Sequence, residues 1–227
     1  MPEPLEPIIA DKLRGLIADI GGRGNLKMQL VVGNGDAFNG FRRSYGMFSG
    51  VRNFIAMIGN ESDVVALEKL GYFGEWLVLH CTSLGLGSCW VGGTFSRKAC
   101  PVELGAEESV VCAITVGYTE DKLSAKEKLI RWGTHRKSKT VEQMYASDEP
   151  VPEWFINGMK AVQKAPSAVN RQPVVFSYRN GVVSAAVGEI AGMGYAFDLG
   201  IAKLHFELGA GGGNWAFGNG GEYTRGG

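Results

Sequence analysis

Apolar positions recur at helical spacing over the first stretch of the chain, at Leu5, Ile8, Ile9, Leu13, Leu16, Ile17 and Ile20. This pattern predicts an amphipathic helix, and Gly21-Gly22 marks its expected end. Met28–Val32 predicts a short strand closed by Gly33-Asn34-Gly35, and Phe54–Ile58 a buried strand closed by Gly59-Asn60. Val64–Leu84 predicts a long helix. Its internal Gly71 and Gly74 each cost about 1 kcal/mol against alanine, so another element is expected to pack closely there. Ser109–Gly117 (SVVCAITVG) is a β-branched run that predicts a central strand. Leu123–Val141 is polar and basic and predicts a loop.

Ser147-Asp-Glu-Pro-Val-Pro152 predicts a junction that divides the chain into halves, 1–150 and a shorter 151–227. A helix follows over Trp154–Lys164. It stops at Ala165-Pro166, because the residue before a proline disfavours helix. Pro173–Tyr178 and Val182–Val187 predict a hairpin around a type I′ turn at Asn180-Gly181. Tyr195–Leu208 predicts a last helix, and Gly209–Gly213 a glycine-rich turn.

Two of these helices share a pattern. Leu79-His80 is followed after nine residues by Trp90, and Leu204-His205 after nine residues by Trp215. The offset is constant (205 − 80 and 215 − 90 are both 125), both gaps hold a small glycine-rich turn, and Tyr72 aligns with Phe197. A repeated half suggests a symmetric dimer compressed into one chain. A ligand site between the halves is then expected. His80 and His205 each sit on an otherwise apolar helix and read as packed structural histidines. No acidic or cysteine company at ligand spacing marks a metal site.

Composition acts mainly by exclusion. The 227 residues are 45% hydrophobic and 20% charged, a globular profile. Lys plus Arg equals Asp plus Glu at 23 each, so no basic field favours nucleic acid. Basic residues cluster locally at Arg131, His135, Arg136, Lys137 and Lys139, which reads equally as a solvated face. Cys81, Cys89, Cys100 and Cys112 form no C-x-x-C pair and read as small buried hydrophobes in a reducing, cytoplasmic setting. The acidic opening Met1-Pro-Glu-Pro4 lacks the apolar core of a secretory signal. No apolar run approaches the ~18 residues of a membrane span.

Two segments carry candidate chemistry. Ala165-Pro-Ser-Ala-Val-Asn-Arg-Gln-Pro173 is a helix stop, a turn and a strand start. Its Ser167, Asn170 and Gln172 have the donors and acceptors to bind a planar heterocycle. An ordinary turn bonded to its own backbone is the alternative. Leu84-Gly-Leu-Gly-Ser-Cys-Trp-Val-Gly-Gly93 combines small residues that let backbone approach a flat surface with an aromatic wall at Trp90. The alternative is a glycine helix cap with a core tryptophan. Gly211-Gly-Gly-Asn-Trp-Ala216 matches a dinucleotide fingerprint by letters, but no strand is predicted before it. No Walker A sequence, nucleophile elbow or nucleophile–base pair occurs.

The segments APSAVNRQP and LGLGSCWVGG resemble the nitroreductase superfamily, which binds FMN. Tyr45-Gly-Met-Phe-Ser-Gly50, Gly71-Tyr-Phe-Gly-Glu75, Pro152-Glu-Trp-Phe155 and Asp198-Leu-Gly-Ile-Ala202 are similar to the branch in which two half-domains are fused in one polypeptide. The resemblance covers about Met28 to Phe217. It implies an α+β fold with a central mixed or antiparallel sheet flanked by helices, here as an internally duplicated pseudo-dimer, monomeric or homodimeric. It further implies an FMN-dependent oxidoreductase in which NAD(P)H delivers hydride to flavin N5 and a nitroaromatic, quinone or similar small acceptor is then reduced. No catalytic side chain and no metal are implied.

The implied cofactor residues are Trp90, Val91, Gly92 and Gly93 near the ring edge and N5. Ala165, Pro166, Ser167, Ala168, Asn170 and Gln172 approach from the second half. The basic stretch Arg136, Lys137 and Ser138 lies near the phosphate or ring. The resemblance also implies an arginine-bearing segment before the first helix that grips the FMN phosphate, where this chain reads Met1-Pro-Glu-Pro4. Arg42-Arg-Ser44 has similar letters but follows the first strand and is not given that role. Loss of those charge-assisted bonds, roughly 1.5–3 kcal/mol each, would leave a weak flavin binder. The alternative function is accordingly a non-catalytic flavin-binding or relic protein of the same fold.

Overall fold

The computed structural model describes residues 3–39, 50–118, 137–188 and 193–226. It divides into two compact units. The first comprises residues 1–63 and 76–133, and the second residues 64–75 and 134–227. The predicted segments Tyr45–Gly50, Arg42–Ser44 and most of Leu123–Val141, with Arg131, His135 and Arg136, lie wholly or largely outside the described residues.

The first unit opens with helix α1 (Pro7–Gly24), which buries Ala10, Leu13, Ile17 and Ile20 along one stripe. The helix runs past the predicted stop at Gly21-Gly22. Its end is set by Asn25, left-handed at φ 52°, with Leu26 donating its amide to Gly21 at 2.8 Å. Gly21 serves packing instead, since a Cβ there would lie 3.0 Å from the Leu26 carbonyl. The sheet runs β1 (Lys27–Val31), β2 (Asn53–Gly59), β4 (Ser109–Gly117), β3 (Gly87–Val91), with every neighbouring pair antiparallel. Phe54, Ala56 and Ile58 of β2 join Phe38, Val91 and Phe95 in one core cluster. Buried Asn53 fastens the chain ahead of α1: it accepts from the Leu5 and Gly33 amides at 3.1 Å and donates to the Glu3 carbonyl at 3.0 Å.

The second unit holds the first part of helix α2 (Val64–Ser83), helices α3 (Glu153–Val162) and α4 (Met193–Gly209), and a five-stranded sheet. Its order is β5 (Tyr145–Ser147), β6 (Val174–Arg179), β7 (Val182–Val187), β9 (Glu222–Arg225), β8 (Gly213–Trp215). Only β5 and β6 run parallel among these pairs. The β6–β7 turn matches the predicted type, with both Asn180 (φ 51°) and Gly181 (φ 77°) left-handed. Phe155, Phe176, Phe206 and Trp215 centre the core. Gly71 and Gly200 bring α2 and α4 together backbone to backbone. A Cβ on Gly71 would fall 2.3 Å from the Phe197 carbonyl, and one on Gly200 2.0 Å from the Glu68 carbonyl.

Element order is shared between the two sets. Helix, strand, strand, helix, strand, strand describes α1-β1-β2-α2-β3-β4 and equally α3-β6-β7-α4-β8-β9. The sheet orders correspond as well: β1-β2-β4-β3 against β6-β7-β9-β8, with β5 added at one edge. The glycine-rich segments read as turns are in fact turn plus strand. β3 carries Trp90 and β8 carries Trp215, each following a helix and a glycine turn.

Candidate functional site

The 165–173 loop leaves α3 through Ala165, which is buried, and exposes Pro166, Ala168 and Val169. Val169, Asn170 and Gln172 have φ of 47°, 51° and 47°. Left-handed backbone is uncommon for such residues, above all for a β-branched valine. Sequence reasoning offered Ser167 and Gln172 as groups facing a ligand. The structure commits both to the loop itself. Ser167 Oγ accepts the Gln172 amide at 2.9 Å. Gln172 is 4% exposed, accepts the Lys139 amide at 2.7 Å and donates to the Gln163 carbonyl at 3.0 Å. Asn170 is half-buried beside exposed Arg171, whose guanidinium donates to the Tyr195 hydroxyl at 2.9 Å.

The same bonds bring the basic stretch to this loop. Lys139 Nζ donates to the Gln172 carbonyl at 2.7 Å, and Gln163 Nε2 to the Lys139 carbonyl at 2.8 Å. Lys137 and Ser138, both exposed, therefore lie next to a segment tied to residues 163–172. Arg136 lies outside the described residues.

Asp198 on α4 was not singled out by sequence. It is 5% exposed and accepts the Ala168 amide with both oxygens, at 3.1 and 3.3 Å. Burial pushes its carboxyl up to about 6, against the opposing pull of the Ala168 bond and the Arg171 charge.

In the first unit, Trp90 is half-buried and Val91 buried, while Gly92 and Gly93 are exposed just past β3. Neither glycine has a positive φ, and a Cβ on either would meet nothing within 4 Å. Among the described residues, neither packing nor backbone conformation requires glycine there. Cys89 departs from the expected burial and is exposed on β3. Cys81 and Cys112 are buried as expected, their thiols pushed up by burial to about 11 and about 12.

His205 is held as a structural histidine, with Nε2 2.9 Å from Oε1 of buried Glu75. His80 stacks on Trp76 at 5.9 Å. A polar seam that sequence reasoning missed runs between α2 and α4 in the second unit. Lys203, 0% exposed, pairs with Glu68, 1% exposed, at 2.5 Å. The Lys203 ammonium also donates to the Ala216 and Gly218 carbonyls, and Glu68 accepts the Gly218 amide at 2.7 Å. Its faint sequence signal is a charge at a core-facing position of each otherwise apolar helix. The pairing itself, 135 positions apart, has none.

The family model described as "Putative TM nitroreductase" matches residues 1–210, and the chain belongs to that family. A "putative nitroreductase" from Thermotoga maritima has the same fold, with a TM-score of 0.57 at 19% identity over 87% of this chain and 74% of its own. An FMN-dependent nitroreductase from Clostridium difficile R20291 is 19% identical over 60% of this chain and 90% of its own, with a TM-score of 0.40. A nitroreductase family protein from Clostridium difficile 630 is 18% identical over 66% and 91%, with a TM-score of 0.42. No curated protein matches the chain. Among the described residues, no helix is long and apolar enough to cross a membrane.

Proposed function

We propose that this chain is an FMN-dependent oxidoreductase that draws on NAD(P)H and reduces a small acceptor such as a nitroaromatic or quinone. The observation that carries the reading is the Gly92-Gly93 pair. Exposed glycines that neither conformation nor packing of the described residues requires are what close approach of a flat ring demands. Bound FMN supplies a ring that takes a hydride at N5 and passes its electrons on.

The protein's part is to bind and orient. Trp90 offers an aromatic face, and Gly92 and Gly93 are exposed. Lys137 and Ser138 provide charge and a hydroxyl for the phosphate. Ala165, Pro166, Ser167, Ala168 and Asn170 present the strained loop, while Gln172 holds its shape. No side chain acts as nucleophile. The shared element order is read as an internal duplication.

Titration of the purified chain with FMN, followed by absorbance near ~450 nm, tests this together with Gly93→Val. A Cβ at Gly93 enters open space, so this variant keeps wild-type stability within about 0.5 kcal/mol and loses at least about tenfold in FMN affinity. Wild-type protein that binds no FMN, or a valine variant that binds it equally well, refutes the assignment.

A further inference from the structure

Left-handed backbone at Val169, Asn170 and Gln172 persists only where the surroundings over-determine it. Part of that determination is the Gln172 network already described. The other part comes from beneath. Asp198 reaches the Ala168 amide at the start of the left-handed run, and it shares a small cleft with Ala165, Ser167 and Gln172. No ion-pair partner faces Asp198 among the described residues. Arg171, on the loop, is the charged side chain that bears on it. Ser167 and Gln172 are uncharged, and Val162 and Val174, from the helix and strand packed against the cleft, are apolar.

We propose that Asp198 is the positioning residue of the 166–172 loop: its carboxyl group, buried under the loop, ties the Ala168 amide to α4 and fixes the left-handed run that sets out Asn170 for the cofactor. The cofactor clause rests on the function proposed above; the anchor does not.

Linkage gives the anchor a pH signature. Opening the loop hydrates the carboxyl and returns it from about 6 towards its ordinary 3.8. The closed loop is therefore fully favoured below about pH 4 and loosens as pH rises from there through 6, by up to about a hundredfold in all.

The test is the hydrogen-exchange protection factor of the Ala168 amide, read by NMR at pH 5 to 8, beside FMN titrations of the same samples. Wild type, Asp198→Asn and Asp198→Ala are compared. Wild-type protection should fall about tenfold from pH 5 to 8, most of it by pH 6.5. Asp198→Asn keeps an acceptor that does not titrate, so its protection should stay high and flat. Asp198→Ala should lose at least about tenfold at pH 5, and FMN affinity should follow the same order. Wild-type protection in Asp198→Ala, or a pH step that survives in Asp198→Asn, overturns the anchor. An unprotected Ala168 with unchanged FMN affinity overturns the positioning role. Wild-type protein that binds no FMN overturns the function reading, and the Ala168 amide then decides the anchor alone.

Discussion

Lys203→Met removes the cation from a fully buried pair and leaves Glu68 stranded. The pair is 0% and 1% exposed, so water does not screen the loss. Truncating one partner of such a pair costs about 3–5 kcal/mol, mostly through the uncompensated charge. The Ala216 and Gly218 carbonyls also lose their donor, at about 1 kcal/mol each where they stay dry. These effects overlap, and a loss of about 4 kcal/mol is expected in urea unfolding, or a fall of roughly 8–16 °C in Tm. Adding Glu68→Leu removes the stranded charge but leaves the Gly218 amide without its acceptor. The double variant should therefore recover about 2 kcal/mol relative to Lys203→Met alone. A single variant that loses less than about 1 kcal/mol, or a double variant no more stable than the single, refutes the view that this pair clamps the turn at 216–218.

Gly200→Ala places a Cβ 2.0 Å from the Glu68 carbonyl and 2.5 Å from the Tyr72 amide. Backbone cannot yield as a side-chain tip can, so a loss of about 3 kcal/mol or more is expected in the same urea assay; a neutral result would place α2 and α4 further apart. Asp198→Asn should stabilise the chain with a defined sign. The carboxyl is raised from 3.8 to about 6 on folding, so its favourable contribution is full below pH 4 and lost as pH rises through 6. The gap between variant and wild type should approach about 3 kcal/mol by pH 8, as a ceiling, and vanish near pH 4. A gap that does not change with pH would sink this.

The long elements were legible because their periods were clean. SVVCAITVG became β4 with the predicted bounds, and Asn180-Gly181 dictated its turn. β3 was not legible, since Gly87-Ser88-Cys89 has no strand propensity. It is a strand because β4 supplies a ladder, pairing Trp90 with Ile114. β8 and β9 are too short, at 3 and 4 residues, to leave a pattern. In the candidate loop, Ser167 and Gln172, offered by the sequence as ligand-facing groups, are bonded within the chain. Ser167 and Gln172 resemble ligand-binding groups in composition, yet a loop with three left-handed residues needs internal staples. Asp198 was hidden within a helical motif because nothing local shows which turn a helix faces.

The offset that relates Trp90 to Trp215 carries Gly92-Gly93 onto Phe217-Gly218 (92 + 125 = 217). The two positions have opposite fates. Gly92 and Gly93 are exposed, and an added Cβ on either meets nothing within 4 Å among the described residues. Phe217 packs edge-on to Tyr72 at 5.5 Å with Lys69 over its ring, and both the amide and carbonyl of Gly218 are taken by Glu68 and Lys203. The second unit fills from within its own chain the place that the first leaves open. A buried ion pair is weak evidence for stability in itself, since an apolar pair often does as well. Here it satisfies a glycine backbone that would otherwise be a ready ligand-binding edge. That accounts for a costly pair at a turn with no other demand for charge, and for the lack of a Val-Gly-Gly continuation after Trp215.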